Sequence, residues 1–426
     1  MNRDKRTLKK IQEVLEFAWN NPYSSFYKDK YKKAGIKSIK EINTWEDFEK
    51  LPFLTRDEII EAGPNNFFFL PRDKISNVAF SSGTTNKNQP LIIYHSFFDQ
   101  EIYRRIHKKY EELNLKSMMM LFNPFSALIR LMLDTEMLGK KPIITLGDIN
   151  NLELSAKIAA RLEIDGIKTT PSVLSRLVPY LEKEYDLEKI RLVALGGEFC
   201  SEQQANYLRA TFRKAFFEFG FGGVETNDKG YRCDTLSSFH PRFFHAESKT
   251  FYYETKDYKG QDELVLTHLI EFGNLLIRYK TGDAVRLYEE KCKCKNTLQM
   301  EVFGRLEYDV IKIQGTFIYS ELISRALAHF GQFLASNEWK LHVFEEKANG
   351  KIIPRLKLQI LPNSKVKKDV KIKKLIQEGI SKNLFVSANY TLWDLVKKDV
   401  FMPLEIEYLD EFPFESKQKN IISHLT

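Results

Sequence analysis

Cysteine is scarce in this chain: four thiols, at positions 200, 233, 292 and 294, among 426 residues. That density excludes a fold stapled by disulfides. No apolar run approaches the roughly 18 to 20 residues of a membrane-spanning helix, and runs such as FFFLP and MMMLF are of core size. The amino terminus, MNRDKRTLKK, is charged and has no apolar stretch of the secretory-signal kind, so the cytoplasm is the expected compartment. Internal repeats and low-complexity tracts are missing as well. The densest basic cluster, KVKKDVKIKK at 365–374, has no aromatics among its lysines. That argues against nucleic-acid binding and reads as an exposed helix or an edge strand.

What is present describes an ordinary globular protein, long enough for a large domain and a smaller one. The 65 Lys and Arg against 57 Asp and Glu leave a formal charge of +8, which suits a polyanion such as a nucleotide, although most of it reads as solvated surface. The 32 Phe and 19 Tyr read as core packing.

Periodicity gives the architecture. LKKIQEVLEFAWNN has helical spacing and PYSSFY stops it. From about residue 75 to 200, strand-like runs (NVAF, SMMMLF, KPIITL, GIKTT, RLVALGG) alternate with helical ones (SFFDQEIYRRIHKKYEEL, LELSAKIAARLEI, SVLSRLVPYLEKEY), the pattern of a mostly parallel, helix-covered sheet. Beyond about 230, FYYETKDY, DELVLTHL and LLIRYKTGD read as antiparallel strands of a β subdomain. After GRLEYD at 304–309 a last segment mixes strands (RLKLQIL) with helices (SELISRALAHF), a size fit for a small α+β domain. The expected fold is α/β, with an N-terminal domain over 1–305 that includes a β subdomain at about 230–305, and a C-terminal α+β domain over 306–426.

Chemistry first shows in SSGTTNKNQP at 81–90. Gly83 lets backbone amides converge, Ser81, Ser82, Thr84 and Thr85 bring hydroxyl donors and Lys87 a positive charge, a composition suited to phosphate at a strand end. The P-loop pattern cannot be laid over it. A polar surface turn is the alternative.

Taken in chain order, LPFLTRDEI (51–59), SSGTTNK (81–87), TTPS (169–172), LGGE (195–198), RYKTGD (278–283) and GRLEYDVIKIQG (304–315) resemble signatures of the ANL adenylate-forming enzymes. The branch they resemble is that of the phenylacetate:coenzyme A ligases, and the resemblance spans nearly the whole chain. It implies ATP-dependent activation of a carboxylic acid as an acyl-adenylate, followed by transfer to a thiol of coenzyme A or of an acyl carrier protein. The loop with Lys87 would hold the β and γ phosphates. Gly196, Gly197 and Glu198 would run along adenine, Asp283 would accept from the ribose hydroxyls, and Arg305 would add a ribose or phosphate contact. Alone, TGD and GR are also common turn sequences. Glu225, in FGFGGVETN, would ligate Mg²⁺. Lys417 would neutralise charge between carboxylate and α-phosphate, with Lys419 as runner-up. Glu307 would be the hinge about which a mobile C-terminal domain turns, and Ser126, Ala127 and Thr170 would line a pocket for an apolar acid.

Three departures, Asn86 for Gly, Val224 for a hydroxyl residue and a shortened lysine region, keep open a non-catalytic adenylate- or acyl-binding homologue. Some members near this branch carry a structural zinc on an early Cys, a His and a C-x-C. The matching order here is Cys233, His240, Cys292 and Cys294, with His245 as the other candidate imidazole and incidental thiols as the alternative. Cys200 reads as packed. Neither a nucleic acid nor a membrane is an expected partner, and a monomer or homodimer is.

Overall fold

The computed structural model describes residues 3–80, 90–96, 109–122, 142–237, 241–258, 260–307, 309–313, 316–348, 351–367, 369–386, 390–413 and 419–424. The chain divides into a larger body (Met1–Gly197, Phe212–Thr281, Val285–Glu301) and a smaller one (Glu198–Thr211, Gly282–Ala284, Val302–Thr426).

The larger body starts with α1 (Lys5–Trp19), capped by Asp4, whose carboxylate accepts from the Thr7 amide at 2.6 Å. Its helical stripe of Ile11, Val14, Leu15 and Ala18 packs with Tyr27 and Tyr31 of α2 (Phe26–Lys33) and with Phe48, Phe67 and Phe69, so much of the aromatic content is core. Tyr27 keeps its hydroxyl satisfied inside this core, donating to Leu275 O at 2.8 Å and accepting from Ile277 N at 2.9 Å.

NVAF behaves differently from the expectation of a parallel strand. It lies in β1 (Ile75–Phe80), which pairs antiparallel with β2 (Ile92–Ser96), Phe80 opposite Ile92. Residues 81–91 alone separate the two strands, fewer than the crossover of a dozen or more that parallel pairing requires. Ser96 consequently ends a strand instead of opening a helix, and helix is described only at 109–112 of that stretch.

The parallel sheet follows: β3 (Ser117–Leu121), β4 (Ile143–Leu146), β5 (Gly166–Thr169), β6 (Leu192–Leu195) and β7 (Phe216–Phe219), in the order β4-β3-β5-β6-β7 with every neighbour parallel. Strands β3 and β6 are buried at every position, the signature of a sheet covered on both faces. Helices α3 (Leu152–Arg161) and α4 (Pro171–Glu184) make the crossovers from β4 to β5 and from β5 to β6. Helix α5 (Glu202–Thr211) leads on to β7.

Seven further strands form one sheet: β8 (Phe221–Gly223), β9 (Asn227–Tyr231), β10 (Phe243–Ala246), β11 (Phe251–Tyr258), β12 (Gln261–His268), β13 (Tyr279–Glu289) and β14 (Leu298–Arg305), in the order β11-β12-β13-β14-β10-β9-β8. The expected antiparallel texture is present, with β11 and β12 paired from Phe251 opposite His268 to Tyr258 opposite Gln261. LLIR stays outside β13 because Arg278 sits at φ 50°, which breaks the extended run.

In the smaller body, the hairpin of β15 (Val310–Ile313) and β16 (Thr316–Tyr319) leads to α6 (Ser320–Ala328) and then to the long hairpin β17 (Leu334–Ala348) and β18 (Lys351–Pro362). Helices α7 (Val370–Asn383) and α8 (Leu392–Lys397), then β19 (Glu405–Tyr408) and β20 (Ile421–Ser423), complete a four-stranded sheet, β19-β18-β17-β20. Leu341, Val343, Leu356, Leu358 and Ile360 face a core shared with Ile323 of α6 and Ile376 of α7. The lysine-rich stretch opens α7, the helical alternative of the two read from sequence. The α/β class with a large N-terminal and a smaller C-terminal part therefore holds. No helix among the described residues is long and apolar enough to cross a membrane.

Candidate active site and a thiol cluster

Two stretches of the larger body, LPFLTRDEI and the opening residues 278–281 of RYKTGD, turn out to be one structural unit. Leu54 bridges Tyr279 in parallel, with Leu54 N donating to Arg278 O and Lys280 N to Leu54 O, both at 2.9 Å. Arg278 donates to the carbonyl oxygens of Glu49 and Leu51 (2.7 Å to the latter) and pairs with Glu254 at 3.1 Å. Thr55 and Glu58 close a capping box on the helix that follows. LPFLTRDEI thus braces Arg278, Tyr279 and Lys280, a partnership that separation of more than 200 residues hid from sequence reading.

This brace positions Glu225. The Tyr279 hydroxyl donates to Glu225 Oε1 at 2.8 Å, and Asn274 Nδ2 donates to the Glu225 carbonyl at 2.6 Å, all three residues being buried. A Cβ on Gly223 would fall 3.3 Å from Glu225 Oε2 and 3.1 Å from Thr226 Oγ1, so the glycine leaves room beside the carboxylate. A carboxylate is a hard oxygen ligand of the kind that Mg²⁺ takes.

The ends of β5 and β6 carry two other motifs. Thr169 Oγ1 donates to Leu121 O at 2.7 Å, and Thr170 is the N-cap of α4, accepting from Val173 N at 3.3 Å with Pro171 in the first helical turn. TTPS is therefore a helix start as well as a candidate pocket wall. Gly197 has φ +86°, which an L side chain adopts only with strain, and Gly196 lies so close to the next strand end that a Cβ would sit 3.4 Å from Gly220 O. Glu198 begins the stretch that belongs to the smaller body.

In the smaller body, Arg305 Nη1 reaches Asp283 Oδ1 at 3.2 Å, with the carboxylate almost wholly buried. Leu306 N donates to Gly282 O at 2.9 Å, joining the two motifs at the main chain as well. Glu307 is exposed in the turn after β14. Lys419 is half-buried, just ahead of β20. The phosphate-loop residues Ser81, Ser82, Gly83, Thr84, Thr85 and Lys87, the pocket residues Ser126 and Ala127, and Lys417 lie outside the described residues, as does His240.

A second constellation forms in the seven-stranded sheet. The ligand atoms of Cys233, His245, Cys292 and Cys294 all lie within 4.8 Å of one another. Cys233 Sγ is 3.7 Å from Cys292 Sγ, and His245 Nε2 is 3.3 Å from both Cys233 Sγ and Cys294 Sγ. Tetrahedral zinc with its usual bond lengths needs edges of about 3.8 Å between sulfurs and about 3.5 Å between sulfur and nitrogen. The donor set fits. The imidazole is the one from His245, delivered by the pairing of β10 with Tyr231 of β9 and Gln299 of β14. Burial, with Arg232 nearby, lowers its pKa to about 4, leaving the neutral ring that can ligate. The backbone amide of Cys294 lowers the Cys292 thiol, while burial raises Cys294 to about 11. Asn296, which sequence reading missed, staples the knuckle: its carbonyl accepts the Cys292 amide at 2.9 Å, and its side chain donates to Tyr231 Oη at 3.1 Å and Ala246 O at 3.0 Å. Cys200 is buried apart from them, its thiol facing Ser201 O at 3.6 Å.

No family model matches the chain. It is 25% identical over 327 residues to a phenylacetate–coenzyme A ligase of Thermus thermophilus, covering 71% of this chain and 70% of that one. Among solved structures, 2-hydroxyisobutyryl-CoA ligase in its postadenylation state matches at a TM-score of 0.71 and 17% identity over 99% of this chain and 89% of the other. The O-succinylbenzoate coenzyme A synthetase of Bacillus subtilis, in complex with AMP, matches at 0.51 and 16% over 82% and 68%. The structural likenesses establish the fold, and the ligase relative and the six ordered motifs add the sequence. In fold this chain is like these adenylate-handling ligases, and in sequence it is similar to a phenylacetate–coenzyme A ligase.

Proposed function

We propose that the protein is an AMP-forming acid–thiol ligase. A carboxylate oxygen attacks the α-phosphorus of ATP, the bond to the bridging oxygen breaks and pyrophosphate leaves. A thiol sulfur then attacks the acyl carbon, the bond to AMP breaks and the thiol proton is released. Both partners in the first step are anions, so catalysis must be largely electrostatic.

The observation that carries this reading is the buried Asp283 carboxylate paired with Arg305 at 3.2 Å, two charged groups from two motifs of one family. Asp283 is proposed to grip the ribose hydroxyls and Arg305 the ribose or a phosphate, with Gly196, Gly197 and Glu198 along adenine. The 81–87 loop with Lys87 is proposed for the β and γ phosphates, and Lys417, or Lys419 in its place, for the attacking carboxylate. Glu225, oriented by Tyr279, is the proposed Mg²⁺ ligand, and the ion would screen the phosphate charge. Glu307, exposed in its turn, is the proposed hinge. Coenzyme A is the proposed acceptor, in line with the ligase relative, and an apolar acid the proposed substrate of a pocket with Ser126, Ala127 and Thr170. The cytoplasm, which supplies ATP and coenzyme A, is the proposed compartment. Cys233, His245, Cys292 and Cys294 are the proposed ligands of a structural zinc, remote in role from the chemistry.

The test incubates the protein with ATP, Mg²⁺, coenzyme A and a panel of aromatic and aliphatic acids, and follows AMP and thioester by mass spectrometry. Stoichiometric AMP and acyl-CoA from at least one acid is expected. Absence of both with every acid would sink the proposal, and AMP without thioester would redirect it to a carrier-protein acceptor.

A further inference from the structure

Asp309 has no part in the roles above, yet it is 1% exposed and carries three donors on its carboxylate. Oδ2 accepts from the Arg305 amide at 2.9 Å, and Oδ1 accepts from Ser320 Oγ and from Asn420 Nδ2, each at 3.2 Å. The donors come from the end of β14, the start of α6 and the residue just ahead of β20. The main chain tightens the same node: Asp309 N donates to Arg305 O at 2.8 Å and Ser320 N to Asp309 O at 2.9 Å. Gly304, at φ +111°, completes it, because a Cβ there would fall 2.4 Å from Asp309 Cβ. Asn420 is pinned a second time by its carbonyl, which accepts from Leu341 N at 2.8 Å.

We propose that Asp309 is a positioning residue of the adenylation half-reaction. Its carboxylate clasps Asn420 to the loop that presents Arg305, and so fixes the chain immediately beside Lys419. The inference rests on the ligase reading, which needs a lysine from this segment and a nucleotide at Arg305. A lysine stem is flexible, and β20 supplies only three residues of strand to anchor it. A displacement of about 1 Å at a reacting group costs on the order of a hundredfold in rate, so a side-chain anchor at the root of the segment has a catalytic consequence. A residue that only supported the fold would lower both half-reactions together.

The experiment compares Asp309→Asn, Asn420→Ala, their combination and Ser320→Ala in the full chain. Ser320→Ala removes a donor from the same carboxylate without touching the link to Asn420. With the most active acid of the panel, Asp309→Asn and Asn420→Ala should each lower kcat for carboxylate-dependent pyrophosphate exchange by about 10- to 100-fold, with KM for ATP within about threefold. Thiolysis of that acid's pre-formed adenylate by coenzyme A should stay within about twofold. The double variant should be no worse than the weaker single, and Ser320→Ala within about threefold of the parent. Hydrogen exchange at residues 419–424 should speed about tenfold in both single variants while the β17–β18 hairpin is unchanged. Unchanged exchange at 419–424 would overturn the clasp, and equal loss of both half-reactions would reduce Asp309 to a scaffold residue. Should the parent protein fail to adenylate any acid, the ligase reading fails by itself, and the hydrogen-exchange comparison still decides the clasp.

Discussion

The two large sheets of this protein build sites in opposite ways. In the parallel sheet, candidate functional residues follow directly on strand ends: Thr170 after β5, Gly196 and Gly197 after β6. Chemistry there is local in sequence, because each strand exits toward the same edge and the next turn is the site. In the antiparallel sheet the thiol cluster draws on a residue after β9, one within β10 and two beyond β13, brought together only by strand pairing. What this teaches is that a parallel sheet writes its site into short motifs, whereas an antiparallel sheet writes it into register. A substitution at a strand end should therefore cost activity more than fold, and one in the cluster should cost fold more than activity.

The largest effect should come from the cluster. Cys233→Ser or His245→Ala should abolish bound zinc by elemental analysis and lower the melting temperature by about 5 to 15 °C, whereas His240→Ala should keep both. Chelation of the parent protein should act like the cysteine variant. Zinc-free protein of unchanged stability would break the comparison. Next, Asp283→Asn should lower kcat/KM for ATP by about 10²- to 10³-fold with little change in melting temperature, since the amide keeps the shape but loses the charge proposed to accept the two ribose hydroxyls. A smaller step is Tyr279→Phe, which removes the hydroxyl orienting Glu225 and should raise the Mg²⁺ concentration for half-maximal activity by about tenfold.

The smallest effect is a pH dependence. Burial raises the Asp309 carboxyl to about 6, opposed by its donors from Arg305, Asn420 and Ser320 and by the Arg305 charge. A folded pKa above the unfolded one means that folding takes up a proton between the two, so this group's contribution to stability is lost as pH rises from about 4 to about 6 and is flat above. Asp309→Asn should flatten that portion of the curve of denaturant midpoint against pH; an unaltered slope would contradict the assignment.

Legibility followed that division for the parallel strands and the thiol cluster, whereas Asp283 and Arg305, on β13 and β14 of the seven-stranded sheet, were readable from short motifs. The alternation of strands and helices over 117–195 was readable because hydrophobic runs and helical stripes are local signals, and the antiparallel character past residue 250 showed in strand texture. NVAF was misassigned to the parallel sheet because a strand's own sequence does not state the direction of its neighbour, and β7 escaped notice inside a stretch read for its glycines. Asp283, Arg305 and Glu225 were named as candidate site residues from short motifs. Tyr279, Asn296 and Asp309 were not, since each acts on a partner fixed by tertiary pairing and carries no spacing of its own. His245 against His240 was undecidable by order alone, and strand register brings His245 to the thiols.

Carboxylate-dependent exchange of labelled pyrophosphate into ATP, run on the parent protein and on Asp283→Asn, tests the central claim most directly. Formation of an acyl-adenylate requires exchange in the parent that depends on both the acid and Mg²⁺ and falls at least about a hundredfold in the variant. Exchange absent with every acid, or equal in the two proteins, would contradict it.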